Sequence, residues 1–144
     1  MGIDITFKSN LPAVMKAIDK AAKDRMEEAV QAVRTQVLDT LSGQRSGRTY
    51  RVPGQKRTYT ASAPGQPPAV ATSDLFKSIK TLVESEGKTV VGYVGTDKIQ
   101  GEMLEFGTRG RASGKGKILP RPWLRISFEK TLPKIKEIFM RIWF

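Results

Sequence analysis

The 144-residue chain contains no cysteine and no histidine. The first absence removes disulfides, thiolate nucleophiles and sulfur-ligated metals. Joined to the second, it removes ordinary zinc sites, Ser-His-Asp triads and Cys-His pairs, leaving carboxylates, lysine, tyrosine and serine as the possible catalysts. Apolar runs long enough to cross a bilayer are also lacking, and Met1 to Lys8 has no charged-then-apolar secretory pattern. The expectation is a non-enzymatic protein made in the cytosol, with no cofactor, no metal and no membrane partner.

Acidic residues are missing from two stretches. Between Asp39 and Asp74 lie Arg45, Arg48, Arg51, Lys56 and Arg57, and between Glu105 and Glu129 lie Arg109, Arg111, Lys115, Lys117, Arg121 and Arg125, with no carboxylate in either. Five and six cations account for the whole net charge of +11, and the rest of the chain is balanced. Charge placed only for solubility has no reason to concentrate in this way, so a polyanion or an acidic protein surface is the expected partner.

What is present is enough for one domain over residues 1–144. Hydrophobic residues at 39% and charged residues at 27% are ordinary soluble usage, and a chain of this length buries about 70% of its unfolded surface. "GIDITFK" alternates Ile3, Ile5 and Phe7 with polar residues, as a half-buried strand does. Asn10 can then cap a long helix whose stripe runs Leu11, Met15, Ile18, Ala22, Met26, Val30, Val33, Val37 and Leu41, ended by a left-handed Gly43. Residues 43–70 read as an extended arm: "TYRV" and "TYTAS" flank "PGQKR" as a hairpin, and a stiff Pro/Gly-rich ribbon leads back. Thr72 or Ser73 caps a short helix with Leu75, Ile79 and Leu82 facing inward. "KTLVESE" and "KTVVGYVGT" form a second hairpin about Gly87, with Val90, Tyr93 and Val94 in the core or on a sheet face. A helical turn ends at Gly107, and residues 107–119 form a flexible basic loop. A last helix places Trp123, Leu124, Phe128, Leu132, Ile135, Phe139 and Ile142 at helical spacing, kinked or restarted at Pro133 from Thr131 or Leu132. The fold class is α+β: a small, mostly antiparallel sheet packed by a long N-terminal and a C-terminal helix.

Several constellations have a plainer reading than chemistry. "RGRASGKGK" fails as a phosphate-binding loop, because Gly110 to Gly114 is one residue short and Lys115 precedes glycine rather than Ser or Thr. Glu102 and Glu105 share a helix face beside the basic loop and are expected to form salt bridges there rather than an acid-base pair. The aromatic residues follow helix periodicity and belong to core or subunit interface. The apolar ending with Ile142, Trp143 and Phe144 suggests burial in a neighbour. Arginines in Gly-rich segments suit phosphate neutralisation without base readout.

"SGRTYRV", "ASAPGQPPAVATSDLFKSI", a "VGT" strand end, "LEFGT" and "PRPWLRISF" occur in this order between residue 46 and about residue 128. In that order and spacing the chain resembles the head-tail joining proteins of long-tailed bacteriophages, of the neck or tail-completion type. It departs from their pattern in two places, with "IQGEM" before Leu104 and Trp123 where phenylalanine is usual. The resemblance implies a virion component at the head-tail junction, assembled in the host bacterial cytoplasm as a homo-oligomeric ring of about six or twelve copies. Such a ring joins the portal-side connector to the tail tube and surrounds the DNA passage, in contact with neighbouring connector and tail proteins. It further implies that Ser62, Ala63, Pro64, Gly65, Pro67, Pro68 and Ala69 brace one subunit against the next. Leu104, Glu105, Phe106, Gly107 and Thr108 form the turn that sets the exit of the basic loop. The alternative reading is a stand-alone basic protein that binds nucleic acid without sequence preference.

Overall fold

The computed structural model of the protein describes residues 6, 8–69, 73–110 and 116–142. Helix α1 (Leu11–Ser42) is followed by strands β1 (Thr49–Arg51) and β2 (Thr58–Thr60), helix α2 (Asp74–Lys77), and strands β3 (Lys80–Glu86) and β4 (Thr89–Gly95). Helices α3 (Ile99–Phe106) and α4 (Leu124–Met140) complete the fold. It is α+β, with a long N-terminal helix, a C-terminal helix and two antiparallel hairpins that form separate two-stranded sheets, β1–β2 and β3–β4. The strand expected over residues 2–8 falls largely outside the described residues.

Helix α1 runs 32 residues without a break, about 48 Å. Its only proline, Pro12, sits in the first turn, where the amide would have no partner inside the helix. The expected side-chain cap from Asn10 is not made; the Ser9 hydroxyl accepts from the Leu11 amide instead, at 3.3 Å. The apolar stripe is buried only in its second half. Val33, Val37, Leu41, Ile79 and Trp123 form the core, with Leu75, Phe76, Val94, Leu104 and Ile135 packed around them. Helix α4 and the β3–β4 hairpin both pack on this half.

In β3–β4 the register sets Leu82 opposite Tyr93 on the outer face. A helical period would turn Leu82 inward, but α2 ends at Lys77, the two-residue strand period takes over, and Leu82 is 52% exposed. Tyr93 shares that outer face and its hydroxyl donates to Glu86 at 2.8 Å. This hydrogen bond, the largest cause, holds the phenol above its ordinary pKa. Ser73 takes the predicted N-cap place of α2, yet in a left-handed conformation and with no side-chain cap; Thr72 lies outside the described residues.

Helix α4 neither restarts nor stops at Pro133, which stands on its exposed side together with Glu129, the residue whose carbonyl loses its helical partner. On helix α4 Phe128, expected in the core or a subunit interface, is 46% exposed in the single chain, while Ser127 and Thr131 are buried. The Ser127 hydroxyl bonds the Trp123 carbonyl at 2.5 Å and Thr40 Oγ1 at 2.9 Å, and Thr131 Oγ1 donates to the Ser127 carbonyl at 2.7 Å. Small side chains satisfied in this way let the two helices approach closely. Ile142, expected to be buried in a neighbour, is 88% exposed in the single chain. Its carbonyl is held by Arg25, whose guanidinium also donates to the carbonyls of Arg141 and Phe139 and so closes the end of α4.

Candidate functional site: two basic segments on one anchor

Gly43 is extended, not left-handed, and α1 is ended by Arg45. Its guanidinium donates to the carbonyls of Thr40 at 2.6 Å and Leu41 at 3.2 Å, to those of Gly43 and Gln44, and to Pro68 at 3.1 Å. A cation at a helix C-terminus both satisfies orphan carbonyls and meets the negative end of the dipole. Burial among these groups holds the Arg45 pKa below its ordinary value. Arg45, expected to face DNA or a partner, instead ties the end of α1 to the buried Pro68 of the ribbon.

The remaining base of the arm is equally determined. The Gly47 amide donates to the Ala61 carbonyl at 2.9 Å, and a methyl group on Gly47 would stand 2.5 Å from that oxygen, so no other residue fits. Gln66 Oε1 accepts from the amides of Ser46 and Ala63, at 3.1 and 2.9 Å, joining the start of the arm to the ribbon. From this base β1 and β2 run out in register, Tyr50 opposite Tyr59, their rings 6.0 Å apart. Val52 and Arg57 close the ladder, and the turn beyond carries Lys56. Arg48, Arg51, Lys56 and Arg57 are all exposed.

The second basic segment leaves from α3. Each residue of "LEFGT" has a definite place. Leu104 packs on the core. Among the described residues Glu105 forms no ion pair with the basic loop: Oε2 accepts from the amides of Trp123 and Leu124 at 2.7 and 2.9 Å, and Oε1 from the amide of Arg125 at 3.1 Å. A carboxylate on three free amides is a strong cap for the start of α4, in the absence of any capping side chain from α4 itself. Phe106 points outward, 74% exposed. Gly107 has φ +74°, and a side chain there would meet the Ile118 carbonyl at 2.6 Å. Thr108 then closes the loop, its amide donating to the Ile118 carbonyl at 2.9 Å while its hydroxyl accepts from the Ile118 amide at 3.1 Å. Arg109 and Lys117 are exposed on either side of this clamp; Arg111 and Lys115 lie outside the described residues, as do Trp143 and Phe144.

The two segments meet at Arg121. Its guanidinium donates to the buried hydroxyl of Ser62 at the root of the arm, and its amide to the Leu104 carbonyl at 2.7 Å. Arg121 is three residues from Ile118, so the roots of arm and loop stand within about 10 Å along the chain. In the sequence Arg121 counts as one more loose charge, and nothing in its neighbours marks it as a tether. In the ribbon Ser62 and Pro68 are buried, Ala63, Pro67 and Ala69 half-buried, and Pro64 and Gly65 exposed at its turn. Arg45, Gln66 and Arg121 hold the ribbon to its own chain.

The segment "IQGEM" and Trp123 also meet. Trp123 Nε1 donates to the Gly101 carbonyl at 3.1 Å, and a methyl group on Gly101 would press on the indole at 3.2 Å. Beside them, between β4, α3, α4 and α1, runs an apolar groove of about 1040 Å3, with Met26, Val30 and Val33 along its floor and Phe106, Phe128 and Phe139 on its other walls.

Among the described residues there is no group of His, Cys, Asp or Glu placed to hold a metal ion, and no helix is long and apolar enough to cross a membrane. No protein-family model matches the chain, and neither a curated protein nor a solved structure does.

Proposed function

We propose that this chain is a structural, non-enzymatic subunit of the ring at a bacteriophage head-tail junction, and that its two basic segments face the DNA passage. The observation that carries the charge assignment is the shared anchor at Arg121 and Ser62: arm and loop leave the body at one place, with Arg48, Arg51, Lys56, Arg57, Arg109 and Lys117 exposed. In a closed ring one such place per copy repeats around a single bore. Cations there neutralise phosphate without reading bases, which permits sliding. The phage assignment itself rests on the motif order between residue 46 and about residue 128.

The test is sedimentation of the purified chain in low and high salt, followed by mass spectrometry of purified particles from cells that produce it. Self-association together with incorporation into particles supports the ring. A monomer that binds any duplex tightly and is missing from particles overturns it and favours a stand-alone nucleic-acid-binding protein. If neutralising Arg109, Arg111, Lys115 and Lys117 leaves DNA affinity unchanged yet gives tailless or leaking particles, the loop docks an acidic protein ring instead, and its place in the bore is refuted.

A further inference from the structure

The apolar stripe of α1 does not end where the body ends. Leu11, Val14, Met15 and Ile18 are between 39% and 61% exposed. They lie on the same helical face that continues through Ala22 and Met26 to the buried Val30 and Val33. Four large apolar side chains in line on a helix face, at i, i+3, i+4 and i+7, are the pattern by which helices enter grooves. The helix carries no Gly or Pro between Pro12 and Gly43, so it cannot fold back. Even Ile18, the nearest of the four, stands about 12 Å along this straight helix from Met26, where the groove begins. The stripe is therefore out of reach of the groove on its own chain, although the groove is apolar and lies on the continuation of the same face.

From this we infer that the first part of α1, through Ile18, seats in the groove of a second copy of the chain, beside Met26 and Val30 and under Phe128. The occupant is a second copy because one chain carries both complementary surfaces, and because the face in question already forms the contact of α1 with β4 and α4 farther along. This deepens the ring reading and rests on it for the arrangement: each copy gives its stripe to one neighbour and its groove to the other, a head-to-tail contact.

The absence of cysteine provides a clean test. Met15→Cys in one chain and Phe128→Cys in another, both exposed positions, are mixed and oxidised. Docking predicts a disulfide-linked pair about tenfold more abundant than for Met15→Cys with Lys56→Cys, and Ile18→Asp in the first chain abolishes the excess. Yields no higher than the control overturn the inference. So does a single chain with Ile5→Cys and Phe128→Cys that cross-links internally, because the groove is then filled by the chain's own leading residues. With Met15→Cys and Phe128→Cys in the same chain, head-to-tail docking gives a ladder of three or more chains. A ladder that stops at two refutes the ring while leaving stripe and groove in contact; particles that incorporate the protein without any cross-link refute the docking while leaving the ring.

Discussion

The base and the tip of the arm use the same residue types in opposite ways. At the base, Arg45 directs its donors to carbonyls of α1 and the ribbon, Gln66 bridges two amides, and Gly47 allows two backbones to touch. At the tip, Arg51 and Lys56 extend from a short ladder into solvent. The same contrast divides Arg121 from Arg109 in the second segment. Positive charge in this chain therefore stands in two settings: arginines near helix ends and segment roots organise the backbone, and Arg51, Lys56, Arg109 and Lys117 beyond those roots are exposed. A count of charges cannot separate them, because the separation lies in which carbonyls are near.

The base of the arm is where substitution costs most stability. Arg45→Met strands several carbonyls at the end of α1 and loosens Pro68, at a cost of about 3 kcal/mol in chemical denaturation; an unchanged midpoint contradicts the capping role. Gly47→Ala forces the arm away from Ala61 and costs about 2 kcal/mol, read as a lower melting temperature by about 4–8 °C. Next, Glu105→Ala removes the cap of α4 and costs about 1–2 kcal/mol. Retention of full stability there would return Glu105 to the surface role its sequence position suggests. At the other end of the scale, Arg51→Gln with Lys56→Gln leaves stability within about 0.5 kcal/mol of the parent, and a larger loss would mean that the tip is as structural as the base. Lys80→Gln removes the exposed ion pair with Asp97, 2.7 Å long, with no measurable change in melting temperature expected.

Periodicity makes the scaffold legible. The helical stripe of α1, the alternation in β3 and β4, and the Pro-Gly turn of the arm each arise from local geometry that a few residues determine. What stays hidden depends on residues distant in sequence. Ser127 and Thr131 look like surface positions until Thr40 and the α4 backbone are placed beside them. Glu105 reads as a surface charge because its three amide partners lie 18 to 20 residues away. Leu82 is misplaced by a helical period extended past the end of a four-residue helix. Of the candidate site, the outward cations at Arg48, Arg51, Lys56, Arg57, Arg109 and Lys117 are exposed as their polar, Gly-rich surroundings suggest, whereas Arg45 is not.

In the proposed ring the outward cations act together on a polyanion while the inward ones do not. DNA affinity measured against salt for the parent and for a chain with Arg48, Arg51, Lys56, Arg109 and Lys117 all changed to glutamine tests this most directly. The expected result is weaker binding with a shallower dependence of log affinity on log salt, by up to about 0.9 for each phosphate no longer neutralised, and an unaltered melting temperature. Equal affinity and equal slope for the two proteins would contradict it.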